Sequence, residues 1–127
     1  MRTFTKPILV LFCFLAWMGV SCNREGVGGK ASISGVVMHH DSLIHGAVVF
    51  IKYGATDWPG FDSELYDDEI TTSASDASFS FTNLFRGDYY LYARGFDPAF
   101  MQEVMGGMPV EIEKKKEDKV VTVFVVE

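Results

Sequence analysis

The sequence predicts an all-β domain, a sandwich or barrel of short strands. Three observations carry this. Beyond position 30 the apolar residues recur at period two, the spacing of a strand with one buried face. The runs are rich in Val, Ile, Phe and Tyr, side chains that suit a pleated, half-buried surface. Gly, Asn, Asp and Ser clusters separate them, giving seven runs within about 100 residues. At 127 residues the chain is one small domain by length, long enough to bury roughly two-thirds of its unfolded surface in one core. Its two cysteines, Cys13 and Cys22, exclude a disulfide scaffold and a thiolate zinc site.

The elements read as follows, in chain order. Arg2 and Lys6 precede an uninterrupted apolar run, Ile8 to Met18. Eleven residues suit the core of a signal peptide and fall short of the 20 or so that span a bilayer. Gly19-Val20-Ser21-Cys22 follows, small residues before a cysteine. This resembles a bacterial lipoprotein leader, in the looser form of the Bacteroidota with Gly19 where Leu is usual. The resemblance implies that residues 1–21 are a signal peptide and that Cys22 is lipidated. It further implies an outer-membrane protein anchored by lipid, facing the periplasm or the surface. Several acyl chains, each contributing about 0.8 kcal/mol per buried CH₂, would hold it there. Residues 22–30 then read as the lipidated cysteine and a flexible, Gly-rich tether. Without Arg2 and Lys6 the 11 basic residues fall to nine against 17 acids, a charge of −8. That balance excludes nucleic acid as a partner held by bulk electrostatics.

The domain occupies residues 31–127. Ala31, Ile33, Gly35 and Val37 alternate until His39-His40-Asp41-Ser42 breaks the run. Ala47, Val49 and Ile51 repeat the period. Gly54 to Glu69 is long for a hairpin loop and holds Trp58, Phe61 and Tyr66 among six acids. Phe79 and Phe81 share one face, as do Tyr89, Leu91 and Ala93, so Tyr90 and Tyr92 face away beside Arg94. Residues 97–105 carry helix signals: Asp97 as N-cap, Pro98 as first residue, Gly106 past the end. Val110 and Ile112 alternate, Lys114 to Asp118 reads as a solvated turn, and Val120 to Val126 is apolar on both faces. Both of those faces are covered, or one belongs to an interface.

Certain residues also resemble a known family. They are Ile33-Ser34-Gly35-Val36-Val37, Gly46-Ala47-Val48-Val49-Phe50, Ser75-Asp76, Phe79-Ser80-Phe81, Leu84 and Gly87-Asp88-Tyr89-Tyr90-Leu91. The pattern is similar to the carboxypeptidase regulatory-like domains. That resemblance implies a seven-stranded, transthyretin-like (prealbumin-like) Greek-key β-sandwich. Ser78 stands where the family usually has Gly. A serine held at positive φ would cost roughly 1 kcal/mol, which favours a different turn with Asp76 bonding the nearby amides. An immunoglobulin-like or fibronectin-like strand order stays open.

Several residues are candidates for function. Trp58, Phe61 and Tyr66 form a stacking platform for sugar rings, or fold back over an open end of the sandwich. Tyr90 and Tyr92 form an exposed binding stripe, or lie beneath the Phe100 segment. Adjacent residues of a strand point to opposite faces, so His39 and His40 are not expected to share a metal; with His45 they read as a solvated turn. The loop acids do not match the spacing of a 12-residue calcium loop. No Gly-x-Ser-x-Gly stretch occurs. The Tyr-Arg-Gly-Ser segment of transthyretin-related hydrolases has no counterpart; the chain reads Phe124-Val125-Val126-Glu127 there. The expectation is therefore a non-enzymatic envelope lipoprotein with no catalytic residues, metal or cofactor. Its sandwich would be a structural or interaction module whose partners are the membrane, through the lipid, and an envelope protein. The alternative is an accessory lipoprotein that binds carbohydrate through its loop aromatics.

Overall fold

A computed structural model describes residues 24–127. The stretch expected to be a signal peptide, residues 1–21, and the expected lipidation site Cys22 fall outside the described residues. Eight strands form two four-stranded sheets: β1 (Val27–His39), β2 (Ser42–Leu43), β3 (Val48–Tyr53), β4 (Asp68–Thr71), β5 (Ser78–Leu84), β6 (Gly87–Asp97), β7 (Gln102–Ile112) and β8 (Asp118–Phe124). The architecture is the expected β-sandwich. The strand beyond seven is the two-residue β2, too short for any periodicity to reveal.

The first sheet is built on β1. Its partner β8 runs parallel along one edge, with Val36 opposite Thr122. Antiparallel β5 takes the other edge, with Val36 opposite Ser78, and β2 continues that edge from Met38. Gly35 is what lets β8 lie this close: a Cβ there would collide with the carbonyl of Val121. The second sheet is antiparallel throughout, in the order β4-β3-β6-β7. Past β8 the chain crosses between sheets. The amide of Val125 donates to Met38 in the first, and Val126 exchanges two backbone bonds with Met105 in the second.

The core lies between the sheets and follows the alternation. Ile33, Val37, Val49, Ile51, Phe79, Phe81, Tyr89, Leu91, Val110 and Ile112 all face inward and are buried. Along β8 and the residue after it the two faces separate: Val123 and Val125 are buried, whereas Val120 and Phe124 face solvent. The turn before β5 takes the geometry expected from Ser78. Asp76 Oδ1 accepts from the Ser78 amide at 3.1 Å and hydroxyl at 2.7 Å, and the left-handed residue is Ala77.

Two expectations need correction. Residues 97–105 form no helix; they end β6, turn at Pro98 to Met101, and begin β7. Asp97 does bond an amide ahead of it, Ala99 N at 2.9 Å, as an N-cap would. Here the bond closes a turn, and Met101 at φ 53 reverses the chain into a strand. Residues 27–30, expected to belong to a flexible tether, are instead the start of β1, which begins at Val27. Gly26 N donates to the Tyr89 hydroxyl at 2.9 Å, so these glycines serve close packing on the sheet.

Candidate functional site

The aromatic surface starts from two strands whose other faces are committed to the core. On β3, Val49 and Ile51 point inward, so Phe50 points out. On β6, Leu91 and Ala93 point inward, so Tyr92 points out. The antiparallel register sets Phe50 opposite Tyr92, with rings 6.0 Å apart and nearly parallel. An outward-facing ring on a two-layer sandwich would ordinarily meet water. Yet Phe50 and Tyr92 are each only 2% exposed.

The loop between β3 and β4 covers them. Its ends are tied down by Asp67, whose carboxylate accepts from Tyr53 N at 2.7 Å and whose amide donates to Ile51 O at 2.9 Å. Lys52 Nζ lies 3.5 Å from the same carboxylate. A single 3-10 turn, Ser63–Leu65, is capped by Asp62, which accepts from Glu64 N at 3.0 Å. This delivers Tyr66 onto the sheet: its ring stacks on Tyr92 at 5.7 Å and meets Phe50 at 5.4 Å. The Tyr66 hydroxyl donates to Gly60 O at 2.7 Å and holds the loop in its folded course. Trp58 and Phe61 then sit edge to face at 4.5 Å, with ring centroids 6.2 and 6.5 Å from Tyr92. The Arg94 guanidinium lies over Phe50 at 5.0 Å, a cation–π contact.

The result is a small aromatic core outside the main one. Its floor is Phe50 and Tyr92, its middle is Tyr66, and its roof is Trp58 and Phe61, which are 44% and 58% exposed. Burial pushes the Tyr66 hydroxyl up to about 12, with the Tyr92 and Tyr90 phenols adding to the effect. Burial also raises Tyr92, against an opposing pull from Arg94. The loop carboxylates of Asp62, Asp67 and Asp68 accept bonds from backbone amides close by in the loop and strands. Among the described residues these acids form no cluster of three that could hold a cation.

Trp58, Phe61, Tyr66 and Tyr92 are thus brought together. Tyr90 stays apart, half-buried with its ring over Gly107 of β7. The covering segment differs from both expectations. The loop lies on the outer face of a sheet instead of closing an open end, and it is this loop, not the Phe100 segment, that hides Tyr92. Sequence reasoning misses Phe50, although an outward Phe between inward Val49 and Ile51 is a usable signal.

The histidines also depart from expectation. His39, at the end of β1, is 1% exposed, and its Nδ1 lies 2.7 Å from Asp97 Oδ2, also buried. The Asp97 hydrogen bond raises the His39 pKa, and His39 in turn lowers that of Asp97. His40 has φ 55, which ends the strand alternation and turns its ring back to 4.2 Å from that of His39. The two rings therefore share a side. Phe100 packs against both, at 5.4 Å from each. His45 is exposed and lies apart.

No protein-family model and no curated protein matches the chain. Among solved structures the fold is similar to that of a Pseudomonas aeruginosa protein described as a "putative carbohydrate binding protein". The TM-score is 0.54 and the identity 13%, over 79% of this chain and 91% of the other. At that identity the likeness bears on the fold, and it agrees with the β-sandwich seen here.

Proposed function

We propose that the protein is a non-enzymatic, lipid-anchored module of the bacterial envelope that binds carbohydrate on the Trp58–Phe61 surface. One observation carries the carbohydrate reading: two exposed aromatic rings are held in fixed orientation by a buried aromatic layer beneath them. The apolar C–H face of a sugar packs on such a ring, and a ring already immobilised loses little side-chain entropy on binding. Asp57, exposed beside Trp58, offers carboxylate acceptors for hydroxyl groups, and exposed Arg94 offers donors. The name of the structurally similar Pseudomonas protein agrees with this reading. The anchor rests on the Gly19-Val20-Ser21-Cys22 motif and its apolar leader, and the family reading on the carboxypeptidase regulatory-like pattern of Ser32 to Glu127.

Oligosaccharides titrated into the protein should shift Trp58 emission, read as the difference from a Trp58→Phe variant. Trp58→Ala and Phe61→Ala should abolish binding with the strand spectrum intact. Silence across a broad glycan panel would overturn the carbohydrate reading. Mass spectrometry finding Cys22 unmodified and the leader attached would overturn the anchor.

A further inference from the structure

We infer that His39, His40 and Glu127 form a binding site for a divalent transition ion of the zinc type, with Asp97 as the positioning residue behind His39. The site lies beside the β6–β7 turn and is independent of the carbohydrate reading. It begins with an orphaned atom. His39 Nε2 is buried and has no hydrogen-bond partner, which is rare for a polar atom inside a protein. Its other nitrogen, Nδ1, is held at 2.7 Å by the Asp97 carboxylate. That contact keeps the proton on Nδ1 and directs the Nε2 lone pair forward. Metal-ligating histidines commonly carry such a carboxylate, which fixes tautomer and ring orientation.

Two further donors converge on the same point. Glu127 Oε1 is 3.4 Å from His39 Nε2 and 3.8 Å from His40 Nε2. One donor atom from each residue fits within 4.8 Å of the others. Zinc bound tetrahedrally at about 2.0–2.2 Å requires donor atoms roughly 3.3–3.6 Å apart. The His39–Glu127 separation already meets this. The remaining gap closes by side-chain rotation, because His40 and Glu127 are 61% and 44% exposed. The backbone supports the convergence. His40, at left-handed φ, carries its ring to 4.2 Å from that of His39, and the bonds of Val125 to Met38 and of Val126 to Met105 seat Glu127 at the end of β1. Phe100 packs against both rings on one side.

Two imidazoles and one carboxylate suit a borderline ion such as Zn²⁺; Ca²⁺ and Mg²⁺ prefer all-oxygen shells. Three protein ligands leave one tetrahedral position for water. The competing account is a protonated His39 wedged between Asp97 and Glu127 with no affinity for metal.

Isothermal titration of the full chain with Zn²⁺ separates the two, with Co²⁺ absorption reporting the geometry. The expected result is one Zn²⁺ per chain, Co²⁺ bands of tetrahedral intensity, and no competition from Ca²⁺. His40→Gly, which suits the left-handed φ, and Glu127→Gln should each weaken binding by about tenfold or more. Asp97→Asn should weaken it about 10–100-fold, and His45→Ala should leave it unchanged. Circular dichroism checks that the two exposed-site variants keep their strands. No Zn²⁺ uptake up to about 1 mM, or uptake indifferent to both His40→Gly and Glu127→Gln, overturns the proposal. The second result would place any bound zinc outside this cluster.

Discussion

Tyr92→Ala asks whether the outer aromatic cluster is a second core or a surface decoration. Tyr92 is 2% exposed and meets Tyr66, Phe50, Trp58 and Phe61, while its hydroxyl points to Met105 Sδ at 3.5 Å. An aromatic side chain buries about 150–250 Å², which at about 25 cal/mol per Å² gives about 4–6 kcal/mol. The denatured chain already hides about 10–40% of such surface, so about 3–5 kcal/mol is expected. That matches the usual cost of deleting a buried ring. Tyr90 is the internal comparison: it shares the outer face of β6 with Tyr92, but it is half-buried and stands outside the cluster. Tyr90→Ala should therefore cost about 1–2 kcal/mol. Urea unfolding followed by far-ultraviolet circular dichroism measures both. Trp58 emission should shift to the red in native Tyr92→Ala as the roof loses its floor. A Tyr92→Ala cost under about 1 kcal/mol, or one equal to that of Tyr90→Ala, would refute the second core.

Phe79→Ala and Phe81→Ala should each cost about 3–5 kcal/mol. Their rings touch edge to face at 6.0 Å, so the double variant should lose less than the sum; losses well under about 1 kcal/mol would mean that β5 faces the other way. Tyr66 makes the loop sensitive to alkali. Its folded pKa of about 12 exceeds the unfolded value of about 10, so its contribution is full below about 10 and is lost as pH rises through about 12. Phenolate absorbance should show a component near 12 that Tyr66→Phe removes; a high-pH component unchanged in that variant would refute the assignment.

The strands were legible where one face meets the other sheet, because burial then imposes period two on the residues themselves. β3, β5 and β6 show this in Val49/Ile51, Phe79/Phe81 and Tyr89/Leu91/Ala93. Legibility failed where one local chemistry serves two structures. An Asp-Pro pair caps a helix or opens a turn, and only pairing decides which. Here the hairpin wins because Gln102 to Ile112 can extend the β6 ladder along its whole length, from Asp97 opposite Gln102 to Gly87 opposite Ile112. The Gly-rich start of β1 failed for a related reason. Glycine marks both flexibility and close approach, and Gly28 and Gly29 lie against Phe85 and Leu84.

The sites were legible in their residues and hidden in their neighbours. Alternation places Tyr92 outside the main core, but nothing in periodicity says which loop returns to lie over it. One pairing supplies the missing link. Phe50 and Tyr92 are opposed in the β3–β6 ladder, and two aromatic rings side by side on an outer sheet face form a patch too apolar to leave wet. The segment next to β3 that can satisfy it is the long loop carrying three more rings, since β4 must return beside β3 and draws that loop across the same face. The histidines lacked any such link. Their meeting depends on the left-handed φ of His40 and on the crossing of Val125 and Val126 between sheets, neither of which leaves a trace in residue spacing. Chemistry on this sandwich therefore gathers where alternation is broken or doubled, and those breaks have to be located in three dimensions before the residues beside them can be given roles.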